Sequence, residues 1–145
     1  GQQETVCMST RVGDRNEGDL LVVVKAKQMA AHTFRITGNE KNFPKRYKFT
    51  LTDKIVNKSF DIYTLLYEAQ EMYPHSKREY EDRLYRIRLA MAYCRSLMSM
   101  IEIAKEAFDL DMKSVRYWVG LIIEVRKLGI KWIEKTVEQN RGKFK

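Results

Sequence analysis

Proline and glycine are scarce in this chain of 145 residues, two and seven respectively, which removes the turn residues that an all-β sandwich needs. Histidine is equally sparse. His32 and His75 have no Cys, Asp or Glu nearby at the spacing of a zinc site or of an H-E-x-x-H helix, so no metal is expected. The two cysteines, Cys7 in a polar leader and Cys94 within a helical pattern, show neither redox nor disulfide-framework spacing, and a reduced, cytoplasmic setting fits them best. No apolar run reaches the roughly 18 residues of a membrane span, and LLVVV at 20–24 is too short and lacks signal-peptide flanks. A Gly-rich phosphate loop is also missing, and no cofactor is expected.

Catalytic groupings are equally thin. The all-helical nucleases of the HEPN class place an Arg four to six residues before a His, and neither histidine has one there. Glu79, Glu81 and Asp82 cluster where a helix begins, which the helix dipole explains better than paired-carboxylate chemistry. A non-enzymatic, binding role is therefore expected.

What remains is rich in core formers and in charge, 44% hydrophobic with 32% charged, and its apolar residues recur at helical spacing. Residues 1–19 lack such periodicity and read as a mobile leader, Gly1 having the look of an appended residue. A first helix is expected from about Leu20 to Thr37, with Asp19 as its N-cap and Gly38 and Asn39 as its stop. The second starts near Thr50 or Thr52 and runs to Tyr73, where Pro74 ends it. Its stripe Leu51, Ile55, Ile62, Leu66, Ala69 and Tyr73 is joined by a second one, Val56, Phe60, Tyr63 and Tyr67, which predicts burial on two sides. Ser76 caps a third helix of about 34 residues, with a seam of Leu84, Ile87, Met91, Cys94, Met98, Ile101 and Phe108 at alternating spacings of three and four.

Leu89, Tyr93, Leu97, Met100 and Ala104 widen that apolar arc past half the circumference, more than a monomer's outer helix needs, and so point to self-association. The fourth helix spans about Met112 to Gln139, behind Asp111 as N-cap. Val115, Val119, Ile122, Ile130, Ile133 and Val137 lie on one of its faces, and Trp118, Val125 and Trp132 on another. Four helices with short connections predict an all-α, antiparallel up-down-up-down bundle over 20–139, followed by a basic tail at 140–145.

The formal net charge of +8 is concentrated. Lys41, Lys45, Arg46, Lys48, Lys54 and Lys58 face only Asp53 between 41 and 58, and residues 113–145 hold nine Lys/Arg against Glu124, Glu134 and Glu138. Concentrated positive charge implies a polyanion, with nucleic acid, RNA or DNA, as the expected partner. In the up-down topology Lys45, Arg46, Lys48, Lys54, Lys113 and Arg116 fall towards one pole, and Arg83, Arg86 and Lys131 towards the other. Arg88 and Arg95 stand one heptad apart on the third helix, at a spacing that serves phosphates or ion pairs equally. Arg126 interrupts the apolar stripe of the fourth helix and Lys27 sits beside Phe34 on the first. Either cation can snorkel, pair with a carboxylate or meet nucleic acid. Tyr47, Phe49, Tyr117 and the other aromatics among these cations serve base stacking or packing.

The most specific string is FPKRYKFTLTDKI, residues 43–55, which resembles the first loop and second-helix start of the Avd-like family of four-helix bundles, the accessory variability determinants of diversity-generating retroelements. Phe43, Pro44, Lys48, Phe49, Thr50, Leu51 and Ile55 carry that resemblance. Gly129 and Trp132 match a Gly-x-Trp of the last helix with one extra spacer. The resemblance implies a basic bundle that assembles as a ring-like homopentamer, binds nucleic acid and partners a reverse transcriptase. Related bundles encoded within ribosomal RNA genes share the architecture without that role, which keeps a structural adaptor for a protein partner as the alternative.

Overall fold

The structure, a computed structural model, describes residues 17–144; most of the expected leader, with Cys7, and the terminal Lys145 lie outside the described residues. Four α-helices follow in order: α1 (Glu17–Thr37), α2 (Asp53–Glu71), α3 (Lys77–Ala107) and α4 (Met112–Gln139). Each packs on its sequence neighbour, and α1 closes the set against α4, as in an up-down bundle. Cross-helix contacts give the directions. Lys58 lies over Tyr93 while Arg86 pairs with Glu68, so α2 and α3 run antiparallel. Thr33 meets Trp118 while Asp19 meets Lys135, so α1 and α4 do as well. No strand occurs among the described residues.

The helical periodicities become the core. Val22, Ala26 and Met29 of α1, Ile55, Ile62 and Leu66 of α2, Ile87, Cys94 and Ile101 of α3, and Trp118, Ile122 and Val125 of α4 are all buried. The β-branched opening of α1 is helical because Val22 and Val23 are buried, and that packing outweighs their weak propensity. Asp19 is not the N-cap. It lies inside α1, 6% exposed, with its carboxylate 3.5 Å from Lys135 Nζ, so a tertiary partner on α4 holds it instead. The other two caps are as expected: Ser76 Oγ accepts from the Glu79 amide, and Asp111 Oδ2 accepts from the Ser114 amide. Glu79 reciprocates by accepting from the His75 amide.

Helix ends account for the other departures from expectation. α2 stops at Glu71, short of Tyr73, because Met72 turns extended (φ −87°, ψ 136°) ahead of Pro74. α3 stops at Ala107, since Phe108 is extended and sends its ring towards the first loop. The second stripe of α2 is only partly covered: Val56 and Tyr63 are half-buried, whereas Phe60 and Tyr67 are 40% and 46% exposed. Together with Leu20, Val24 and Phe34 of α1 they form an outward apolar strip in which the Phe34 and Phe60 rings lie 6.1 Å apart. Lys27 belongs to this outer side and is exposed, so it interrupts no buried stripe. Beyond α4 the chain bends at Gly142, whose φ of 73° suits glycine, and brings Phe144 to 5.7 Å from Tyr80.

Two contacts set the spacing of α4. Gly129 leaves room for Met91: a β-carbon there would fall 2.3 Å from the Met91 methyl and 2.5 Å from its sulfur. Cys94, on the same seam, is fully buried, and burial pushes its thiol up to about 12 although the nearby Arg126 pulls the other way. Nearer the start of α4, Trp118 Nε1 donates to Thr33 Oγ1 of α1 at 2.9 Å, and that hydroxyl donates to the Met29 carbonyl, also at 2.9 Å. All these groups are buried, so removing the hydroxyl strands the indole N–H away from water. Thr33→Val, nearly isosteric, is expected to lower unfolding free energy by about 1–3 kcal/mol in denaturant titration. Adding Trp118→Phe should then cost less than it does in the parent, and strict additivity of the two changes would contradict a coupled pair.

Candidate nucleic-acid interface

The first loop is tied to the bundle by one side chain. Phe43 is 2% exposed and sits edge-on to Phe108 (5.7 Å, 78°) and to Trp118 (5.9 Å, 77°), closing the end of the core where α3 gives way to α4. Pro44 (φ −56°, ψ 136°) then turns the chain outward. A 3₁₀ turn over Lys45–Tyr47 and a π turn over Lys48–Thr52 lead into α2, so the loop expected here is partly helical. The wider π turn leaves the side chains of Lys48, Phe49 and Thr50 outside the bundle, and of its residues only Thr52 is buried.

The result is an exposed run in which cations alternate with rings. Arg46 Cζ lies 5.0 Å from the centroid of Tyr47, and Lys48 Nζ lies 5.0 Å from that of Phe49. Tyr47 packs against Phe108 with the rings 5.6 Å apart and tilted by 30°, whereas Phe49 is 80% exposed. Lys48 also donates to both carboxylate oxygens of Asp53 at 3.1 Å, so part of its charge is compensated within the chain. Lys45 and Lys54 are exposed beside it.

At the same pole, an open-sided cavity of about 560 Å³ lies between the end of α1 and the start of α4. Arg35 and Lys113 supply its positive charge, Asn39 and Asn42 its neutral polar groups, and Tyr117, 62% exposed, its aromatic wall. The His32 ring meets Tyr117 at 5.1 Å and 72°. Burial, and then Arg35, hold the imidazole below the ordinary histidine value, and its buried Nε2 has no hydrogen-bond partner within the protein. Asp111 at the rim is held below the usual carboxylate range by the Ser114 amide first and by its hydroxyl second.

Six of the expected contact residues share this pole: Lys45, Arg46, Lys48, Lys54, Lys113 and Arg116. The other six lie elsewhere. Arg83 sits 5.3 Å over the Trp132 ring at the opposite pole, Arg86 pairs with Glu68 at 3.3 Å, and exposed Lys131 borders a small cleft with Asp19 and Lys135. Arg88 and Arg95 are exposed along the middle of α3, and Arg126 is half-buried on α4 beside Cys94. The twelve therefore do not form one surface. Sequence reasoning passed over Arg35, Asn39 and Asn42, and took His32 only as a metal or catalytic candidate. An Arg in the last turn of a helix, followed by an Asn-containing turn, was the available signal.

Among the described residues no group of three or more acidic, His or Cys side chains could hold a metal, and no helix is long and apolar enough to cross a membrane. No family model, curated protein or solved structure matches this chain.

Two measurements check the geometry. Phe43→Ala should cost about 3–5 kcal/mol of stability, as for a buried aromatic, whereas Phe49→Ala should stay within about 0.5 kcal/mol. Equal effects of the two would contradict the plug. For His32, the folded pKa lies below the ordinary 6.5, so the unfolded chain takes up the proton first as pH falls. Its contribution to stability is complete above 6.5 and is lost on acidification through that value. The melting temperature should fall between pH 7.5 and 5.5, less steeply in His32→Gln; identical slopes in the two proteins would remove His32 as the cause.

Proposed function

We propose that this chain is a non-enzymatic, basic four-helix-bundle protein that binds nucleic acid through the pole formed by the first loop and the start of α4. The observation that carries this reading is the run from Lys45 to Phe49, in which three cations and two aromatic rings stand outside the core on a scaffold anchored by Phe43. Cations supply attraction to phosphates and release of counterions, while exposed rings offer stacking faces to bases.

The resemblance of residues 43–55 to the Avd-like family extends the proposal to an accessory of a reverse transcriptase, working as a ring-like homopentamer. Two features support an assembly and an end-on contact. The outward strip of Leu20, Val24, Phe34, Phe60 and Tyr67 is apolar surface that a neighbouring copy would cover. The basic run lies at one end of the bundle and leaves that strip accessible. The same strip favours, as a second reading, a structural adaptor that docks a protein and has little affinity for nucleic acid.

Titration of structured RNA and of RNA:DNA hybrid at increasing salt separates the two readings. Binding should weaken steeply with salt, with a log–log slope of about 0.7–0.9 per phosphate neutralised. Changing Lys45, Arg46 and Lys48 together to Gln should lower affinity at least about tenfold and reduce that slope by roughly two, Lys48 contributing least because Asp53 already engages it. Undetectable binding at low salt, or an unchanged slope, contradicts the proposal. Light scattering tests the assembly independently.

A further inference from the structure

The cavity between α1 and α4 has properties that a generic phosphate-binding surface does not require. Its volume of about 560 Å³ falls within the range of small-ligand sites. Phosphate contacts made only by flexible surface lysines leave no such concavity and need no acceptors. Here Arg35 and Lys113 stand with Asn39, Asn42 and the Asp111 carboxylate, so donors and acceptors face the same space. A purely anionic ligand would meet Asp111 unfavourably. A ligand with both a phosphate and N–H donors satisfies both signs.

The aromatic wall narrows the class further. Tyr117 lines the cavity, is 62% exposed, and packs T-shaped against His32 at 5.1 Å, a contact that positions the ring while most of it stays open. His32 Nε2 is buried behind that ring, so the polar edges open to a ligand are those of Asn39 and Asn42. A flat heteroaromatic base with hydrogen-bonding edges, attached to a phosphate, matches these groups, and unpaired bases are recognised in this way.

We propose that this cavity receives one unpaired nucleotide of a single strand, its base stacked on Tyr117 and edged by the asparagines, its phosphate on Arg35 and Lys113. The inference rests on the nucleic-acid reading above and names the form of nucleic acid. The exposed run from Lys45 to Phe49 holds the backbone of either a single strand or a duplex. The cavity admits a nucleotide only when its base is free of a partner, and this gives the pole a preference for single-stranded or frayed ends.

The test uses the full chain with a short single-stranded oligonucleotide carrying one 2-aminopurine, and with the same strand in a duplex. Tyr117→Ala should weaken single-strand binding about 5- to 100-fold and abolish the quenching of 2-aminopurine, while duplex affinity changes less than about twofold. Tyr117→Phe should restore both signals. Because Tyr117 is largely exposed, the Ala variant should melt with the parent. If it does not, Lys113→Gln replaces it, with the same expected loss for the single strand alone. Equal losses on both probes, or no loss on the single strand, overturn the inference. If the Lys45, Arg46 and Lys48 triple variant still loses affinity for both probes, only the cavity assignment fails. Should the parent bind neither probe, the nucleic-acid reading fails with it.

Discussion

A buried indole N–H has to find an acceptor, and in this bundle the requirement at Trp118 organises one whole end of the molecule. The acceptor is Thr33 on α1, whose own hydroxyl proton is passed to the Met29 carbonyl, so three polar groups are satisfied with no water between them. That contact fixes the register of the first helix against the last, the pair most distant in sequence. It also fixes the indole plane, against which Phe43 packs, with Phe108 in turn edge-on to Phe43. The loop that bears the basic run is thus held by an aromatic cluster whose orientation depends on a single hydrogen bond. Trp132, at the other end, lacks an equivalent: its Nε1 is buried without a partner, and Arg83 lies over its face. The two poles, both basic in sequence, therefore differ in how firmly their surroundings are specified.

Charge is used differently in the two places as well. At the far end and along the middle, cations are drawn into the chain's own contacts: Lys135 with Asp19, Arg86 with Glu68, Lys25 with Glu124. The two more exposed pairs, Arg86 with Glu68 and Lys25 with Glu124, contribute at most about 1 kcal/mol each, so they orient helices more than they stabilise them, whereas the Asp19 carboxylate is buried. At the loop pole Lys45 and Arg46 project from a 3₁₀ turn with no buried residue. Net charge alone does not separate these cases, because pairing depends on which carboxylate the fold brings near.

The helices were legible because their signal is periodic. Ile55, Ile62 and Leu66, or Ile87, Cys94 and Ile101, recur at the helix repeat, and burial follows directly from it. The caps at Ser76 and Asp111 were legible for a local reason, since each bonds an amide three residues on. Asp19 looked the same locally but was claimed by Lys135, a residue at a distance that no local pattern encodes. The outward placement of Phe60 and Tyr67 was hidden too, because periodicity says which residues share a face and not whether a neighbour covers it. The interface divides along the same line. Lys45, Arg46 and Lys48 were visible as a run, while the cavity that joins Arg35 to Lys113 exists only once α1 and α4 pack.

Cys94 gives the α3–α4 seam a built-in chemical clock. Its thiol is sealed among apolar side chains and kept protonated well beyond neutrality, so alkylating or oxidising reagents in water encounter no thiolate while the helices stay together. Reaction at that sulfur requires the seam to part, and with a reagent fast enough to outpace reclosing its rate counts openings of the bundle. The same seam carries the Gly129–Met91 contact, so the parting that exposes the sulfur also frees the methionine that fills the space over that glycine.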